Sequence, residues 1–497
     1  MRKRFEQQID LGVVPINEVE INMKTRHQLA PVLLALQYLF VDEQASEEVF
    51  QLLAKKVLKG KKRTGRLGMP LWEILVLGTV RFCLDVDFDF LHDLSNNHEE
   101  LRGILGVAQS NFTSGKQYHY QTIKDNVQLL DEATIISMSG VVIKCSHGLI
   151  KKKEGMDCLE LSIKSDSYVV ESDIHFPTDL NLLWDSGRKC LDTIELLRSE
   201  GVQLSGWNQH KGRRSKFRKV YRKTSEIHRK KGKNYQQRLE ESTEEYLKVS
   251  GELEQKLEYT MLEGKLQIEL GLVSLFEFEL FQSLHYYLQM LKKHRDLVRR
   301  RIILKEEIPH SEKVFSIFEP HVEWNTKGKL HRGVELGHNT LIATDQYQFI
   351  LHHEVFENQV DKSRTIGIGQ GIANQYGGEG YHLLSISFDR NFFSFAAKKA
   401  LGELYDQVIL PKPGKKSESQ LAEESAVIFV KKRKAHSGVE SNINQLEHHG
   451  LSKCRDKGID GFKRYVAYGV LAYNLHRMGG ILMEMEQQKN KSRAQAA

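Results

Sequence analysis

Residues 157–185, DCLELSIKSDSYVVESDIHFPTDLNLLWD, decide how the rest of the chain is read. Leu159, Leu161 and Ile163 alternate with Glu160, Ser162 and Lys164, the period-two pattern of a strand with one buried face. Asp166 stands on the polar phase where the alternation fades, which predicts it near the strand's end. A second strand-like run, LLSISF at 383–388, is followed by Asp389. Later, Val439, Ile443 and Leu446 are spaced by 4 and 3, the mark of a buried helix face, with Glu440 beside that stripe. Glu447, seven residues on from Glu440, falls on nearly the same face.

Upstream, residues 1 to about 150 read as mostly helical. Arg26–Phe40 has helical apolar spacing, and Ser46 with Glu47 and Glu48 offers the next helix start. A basic turn follows at 55–66, and then PLWEILVLGTVRFCL with Pro70 as its start signal. Downstream of Asp185 the chain turns helical again. Residues 210–233 hold twelve lysines and arginines with one acid, Glu226, and with Phe217 and Tyr221 interleaved at helical spacing. That cation density suits a polyanion, which would bind with counterion release and strong salt dependence. Leu239, Tyr246, Val249, Leu253 and Leu257 follow at steps of 7, 3, 4 and 4, a coiled-coil or helical-hairpin seam. A second cationic run closes this block at 292–301, and Pro309 marks its exit. Strand character returns over 333–356, with a hairpin signal at Asp345-Gln346. A short glycine-containing segment, the Asp389 strand, a helix, a short strand and further helices to about 485 complete the chain. The order describes a mixed α/β sheet with a large helical insertion after its first strand.

Bulk composition is that of an ordinary globular chain: 40% hydrophobic, 28% charged, net charge +7. A mildly basic balance favours a polyanionic partner. Five scattered cysteines without a CxxC pair exclude a zinc ribbon or a disulfide framework, and a reducing cytoplasm is the expected location. The basic start MRKRFEQQID leads into no apolar run of the kind a signal peptide has, and Leu71–Leu84 is too short to span a bilayer, so no membrane association is expected.

Two aspartates at the ends of adjacent strands, faced by a glutamate on a helix, would supply the hard oxygen ligands that Mg²⁺ prefers. Phosphodiester chemistry needs little more than two such ions about 3.5–4 Å apart, to activate the attacking oxygen and stabilise the leaving one. With 65 acidic residues in the chain, spacing alone does not select these three.

A resemblance does. DSYVVESDIHFPTDLNLLWD is similar to the first catalytic block of bacterial insertion-sequence transposases of the DDE type, SFDRNFFS resembles their second, and HSGVESNINQLEHHGLSKCRDKGIDGFKRYVAYGVLAYNLHRMG resembles their third. PLWEILVLGTVRF with LHDLSNN is similar to the helical N-terminal domain of the group, and the match is nearest to the ISNCY type. It implies a ribonuclease-H-like (retroviral-integrase-like) catalytic core with Asp166, Asp389 and Glu440 as catalytic residues and ligands of two Mg²⁺ ions, Mn²⁺ being able to substitute. Glu447 stays open as an alternative third ligand, and Asp173, Asp179 and Asp185 as weaker alternatives for the first; Asp179 reads better as a turn residue or helix N-cap. Arg390 and Asn391 depart from the group's usual lysine or glycine without removing a ligand.

The resemblance implies double-stranded DNA as partner, both terminal inverted repeats and target, and a homodimer or higher assembly with the helical insertion as a candidate interface. Candidate DNA-binding residues are Lys211, Arg213, Arg214, Lys216, Arg218, Lys219, Arg222 and Lys223, together with Lys431, Lys432 and Arg433. The expected organisation is a helical domain for DNA binding and assembly over 1–150, then the first part of the catalytic domain over 151–200. A basic helical insertion over 201–309, the second catalytic part over 310–485 and a disordered tail over 486–497 follow. Alternatives of other classes are a non-catalytic, domesticated DNA-binding regulator and a nuclease on the same fold without strand transfer.

Other features carry less. The glycines of GIGQG at 367–371 miss the dinucleotide fingerprint, whose third glycine would fall at Ile372, and read as a flexible segment. His352-His353 and His448-His449 read as ordinary surface or structural histidines, since strand neighbours point to opposite faces and the second pair lacks a helical-step partner.

Overall fold

The computed structural model describes residues 2, 4–5, 13–60, 67–108, 116–326 and 333–496. It is a mixed α/β structure, mostly helical, whose described strands form one seven-stranded mixed sheet. Two compact units divide it: residues 1–173 with 323–497, and residues 174–322.

In the first unit the chain opens with α1 (Leu29–Val41), α2 (Glu43–Val57) and α3 (Leu71–Cys83), then α4 (Phe88–Asn97), α5 (Glu99–Ile104), α6 (Tyr120–Val127) and α7 (Glu132–Glu154). Pro70 sits at the N-cap of α3, and every residue of that helix is buried, so it is the core helix its composition predicts. Asp42, four residues before Ser46, starts α2 by accepting from the Ala45 backbone N–H at 2.9 Å. Of the basic turn at 55–66, residues 61–66 lie outside the described residues. By length and composition α7 is the one described helix apolar enough to cross a membrane. Here it packs along the last helix of the chain.

Then comes β1 (Leu159–Ser172), which is longer than the alternation suggested and places Asp166 mid-strand. The polar phase ends because Tyr168, Val169 and Val170 are all buried: past Asp166 the strand is covered on both faces and stops alternating.

The second unit holds α8 (Asp179–Ser199), α9 (His210–Lys230), α10 (Tyr235–Glu269) and α11 (Leu275–Val298). Thr178, not Asp179, caps α8, its hydroxyl accepting from Asn181 N–H at 3.2 Å. Because α8 packs on α9 and α11, the unit begins at Ile174 and ends at Val322, wider than the expected 201–309. The seam residues Leu239, Tyr246, Val249, Leu253 and Leu257 are all buried within it.

Back in the first unit follow β2 (Glu323–Asn325), β3 (Glu335–Thr344), β4 (Ile350–Val355), α12 (Asp361–Tyr376), β5 (Tyr381–Phe388), α13 (Phe395–Gly402), β6 (Gln407–Ile409), α14 (Glu418–Ser425), α15 (Val427–His436), α16 (Gly438–Leu446), β7 (Lys453–Cys454) and α17 (Ile459–Ala496). Central β1 runs antiparallel to β3 and parallel to β5 and β7; β3 also pairs antiparallel with β2 and β4, and β5 pairs in parallel with β6. Gly337 of β3 stands opposite both Glu171 of β1 and Glu323 of β2. A Cβ there would lie 1.9 Å from the Val170 carbonyl oxygen, so only glycine fits the strand contact.

Three expectations are corrected here. The glycine-rich segment at 367–371 lies inside α12, where Gly369 gives the Leu401 side chain its place: a Cβ would meet Leu401 Cδ2 at 2.1 Å. Gly369 serves packing, and the segment is helical. The tail expected to be disordered over 486–497 continues α17 through Ala496, its alanine, glutamine, lysine and arginine residues being good helix formers. The N-terminal helices share this unit with the sheet instead of forming a separate body at 1–150, since α1, α3 and α7 all pack on α17.

His353 and His449 are buried structural histidines. Burial pushes His353 down to about 3, helped by neighbouring His352, and pushes His449 down to about 4, helped by His476. Each pKa lies below its unfolded value of about 6.5, so the folded chain binds fewer protons between those limits. Stability from this source is complete above pH 6.5 and is lost as pH falls toward 4. His353→Leu is expected to flatten the fall of the urea midpoint between pH 7 and 4; an unchanged slope would assign the acid sensitivity elsewhere.

Candidate active site

The β1–β5 ladder runs from Leu159 opposite Tyr381 to Ser165 opposite Phe388. The next residues on the two parallel strands are Asp166 and Asp389, so the register sets the two aspartates side by side at the point where β5 ends. Asp389 is exposed and occupies the N-cap of a 3-10 turn, Arg390–Phe392, without spending its side chain on a capping bond. Asp166 is half-buried, and its Oδ1 accepts from the Ser167 N–H at 2.7 Å.

The polar phase of β1 faces α15 and α16. Lys432 Nζ donates to Ser162 Oγ at 2.7 Å, a Cβ on Gly438 would sit 3.0 Å from Lys164 Nζ, and Glu447 acts electrostatically on Tyr168. Asp166 lies on that phase between Lys164 and Tyr168, and therefore on the side of the strand that α16 covers. Val439, Asn442 and Leu446 are buried under α16, which leaves Glu440 exposed along the helix edge. Glu447 is also exposed, in a π-turn, Glu447–Leu451, that contains Gly450 with a positive φ of 83°.

His436, at the end of α15, links these groups. Its Nδ1 is 3.0 Å from Ser387 Oγ, one residue before Phe388. Burial lowers its pKa, Asp389 and Glu440 raise it, and Lys164 lowers it further. Its Nε2 is buried without a hydrogen-bond partner among the described residues. No local pattern in the sequence marks this residue: His436 precedes Glu440 by four, but Ser437 divides their two helices.

Asp166 and Asp389 are thus neighbours in register, and Asp389 and Glu440 share His436. Among the described residues no group of three or more His, Cys, Asp or Glu side chains is close enough to hold a metal ion. The donor chemistry of three carboxylates still fits a hard divalent cation. The weaker alternatives are engaged elsewhere: Asp173 with Lys453 at 2.6 Å, Asp179 with Arg301 at 2.5 Å, and Asp185 with Arg188 at 3.1 Å and His175 at 3.2 Å.

The basic residues sort into tied and untied groups. On α9, Lys216 pairs with Glu252 and Lys223 with Glu245, both at 2.8 Å, and Arg214 pairs with Asp192 at 2.5 Å. Lys211, Arg213, Arg218, Lys219 and Arg222 are exposed. Phe217 is core, packed between Trp184 and Tyr246. The run at 292–301 is largely neutralised: Lys292 by Glu258, Arg295 by Glu254, Arg300 by Glu306 and Glu312. Lys431 and Arg433 are exposed on α15, while Lys432 is turned inward to Ser162.

Compared with known proteins, the chain matches no family model, no curated protein and no solved structure.

Proposed function

We propose that the chain is a DNA transposase of the DDE type, similar to the ISNCY group, with a ribonuclease-H-like core. The observation that carries this reading is the parallel register of β1 and β5, which makes Asp166 and Asp389 neighbours at one end of the sheet. A central first strand with an antiparallel hairpin on one side and a parallel strand on the other supports the core assignment.

In this reading Asp166, Asp389 and Glu440 hold two Mg²⁺ ions, which when bound activate the attacking oxygen and stabilise the leaving one. Mutual repulsion of the three carboxylates favours cation uptake. His436 orients the end of β5 through Ser387, and Lys431 and Arg433 offer phosphate contacts beside the site. Water opens the element end to leave a 3′-hydroxyl, and that hydroxyl then attacks the target phosphodiester. The natural substrates are the element's terminal inverted repeats and a target duplex, held by a dimer or larger assembly in the cytoplasm.

The test uses labelled duplexes carrying the terminal repeats, with and without Mg²⁺. Wild type is expected to nick at the element boundary and to form joined products. Glu440→Gln is expected to lose nicking while Glu447→Gln, whose carboxylate faces Tyr168, keeps it. Loss only in Glu447→Gln would reassign the third ligand. Nicking without joined products would leave a nuclease, and binding without cutting in wild type would leave a regulator.

A further inference from the structure

In the second unit, α8 and α9 enclose a recess of about 350 Å³ lined by Trp184, Arg188, Arg214, Arg218, Tyr221 and Arg222. Trp184 and Tyr221 lie stacked, with ring centroids 5.3 Å apart and planes inclined by 8°. Tyr221 is fixed by its hydroxyl, which donates to Asn181 Oδ1 at 3.0 Å, and Phe217 supports Trp184 from a centroid distance of 5.3 Å. Trp184 remains only half-buried, and its indole N–H makes no hydrogen bond among the described residues.

The four arginines differ. Arg188 is held by Asp185 at 3.1 Å and Asp192 at 3.6 Å, and Arg214 by Asp192 at 2.5 Å and Glu195 at 3.5 Å. Arg218 and Arg222, one helical turn apart, make no ion pair or hydrogen bond among the described residues. Lys216 and Lys223, on the other edge of α9, are matched by Glu252 and Glu245 of α10. Two untied guanidinium forks therefore remain beside a rigid aromatic stack. A guanidinium matches phosphate oxygens bidentately, and an aromatic ring accepts the flat face of a base.

We infer that this recess binds a nucleotide whose base is unpaired, with Arg218 and Arg222 on its phosphate and Trp184 against its base. The inference rests on the proposed action on DNA for its ligand class. An intact duplex keeps its base faces stacked and offers this site phosphate alone. The nucleotide can come from a strand or from free solution, and the two sources share one chemistry.

The test is titration of the full chain, followed by tryptophan fluorescence, with a twelve-residue oligothymidylate, with free thymidine monophosphate, with a blunt duplex and with a polyglutamate peptide. The oligonucleotide is expected to bind with quenching that Trp184→Phe removes. Arg218→Gln with Arg222→Gln, both exposed and safe for folding, is expected to weaken binding about tenfold. It is also expected to lower the salt slope by about 1.4, at about 0.7 for each single-strand phosphate contact. Binding of the monophosphate as well would identify free nucleotide as a source, and binding of the oligonucleotide alone would identify a strand. Equal affinity for polyglutamate, Trp184-dependent quenching by the duplex as strong as by the oligonucleotide, or binding unchanged in the double variant, overturns the inference. Asp389→Asn is expected to bind the oligonucleotide as wild type does. Nicking without recess binding would sink this inference alone, and recess binding without nicking would sink the proposed function alone.

Discussion

Asp389→Asn is expected to lower Mg²⁺-dependent nicking by at least about a hundredfold, the scale set by loss of one charge-stabilising group, with folding unchanged. The substitution keeps shape and removes charge. Asp389 is exposed and makes no side-chain capping bond, so the 3-10 turn at Arg390–Phe392 does not depend on its carboxylate. Asp166→Asn is expected to behave alike, because an asparagine Oδ1 can still accept from the Ser167 N–H that now lies 2.7 Å away. Loss of nicking with wild-type thermal unfolding and wild-type duplex binding would assign the defect to the chemistry. Either variant cutting at the wild-type rate would end the three-carboxylate reading.

Arg102→Met is expected to be the most destabilising single change in the N-terminal helices. Arg102 of α5 is fully buried, and its partners are backbone carbonyls. Nε and Nη2 donate to the Ala108 oxygen at 2.8 and 2.5 Å, Nη1 to Ser95 at 3.1 Å, and Nη2 to Lys116 at 3.1 Å. One guanidinium thereby ties the end of α4 to both described ends of the α5–α6 connection. Methionine fills much of the same volume and leaves three carbonyls unpaired, at about 1 kcal/mol or more for each, so a loss of about 3 kcal/mol is expected. Urea unfolding followed by fluorescence suits the measurement, since Trp72 donates to the Ile104 oxygen at 2.8 Å, two residues from Arg102. A loss below about 1 kcal/mol would mean that water reaches those carbonyls once the guanidinium is gone.

What the sequence made legible follows from where one physical signal dominates. Leu159, Leu161 and Ile163 alternate against polar neighbours, so the first half of β1 could be read. Tyr168, Val169 and Val170 are buried on both faces, so the second half could not. The hairpin seam from Leu239 to Leu257 was plain because its apolar steps stand out from dense charge. By contrast α12 was hidden, since Gly367, Gly369 and Gly371 argue against a helix and the packing of Leu401 on Gly369 is a tertiary fact.

The candidate site divides along the same line. Asp166 and Asp389 could each be placed on a strand from local pattern, but that they stand side by side depends on the ladder between residues more than two hundred apart. Glu440 and Glu447 could not be separated by a seven-residue spacing. What separates them is tertiary: Glu447 acts electrostatically on Tyr168 and Glu440 on His436. His436 needed the tertiary contact with Ser387 to become visible. Which lysines and arginines remain untied depended on acids of neighbouring helices, which no run of cations announces.

Gly337 has one further consequence. Glu171, at the end of β1, and Glu323, at the start of β2, flank this same residue from opposite sides. The chain therefore leaves the sheet and rejoins it at one level, two strand spacings apart, or about 10 Å. Everything between, residues 174–322, is the second unit, inserted between these two neighbouring points of the sheet. The cost of closing such an excursion rises only with the logarithm of its length. The sheet is thus nearly indifferent to how much chain is carried there, provided that the rungs at Gly337 stay in register.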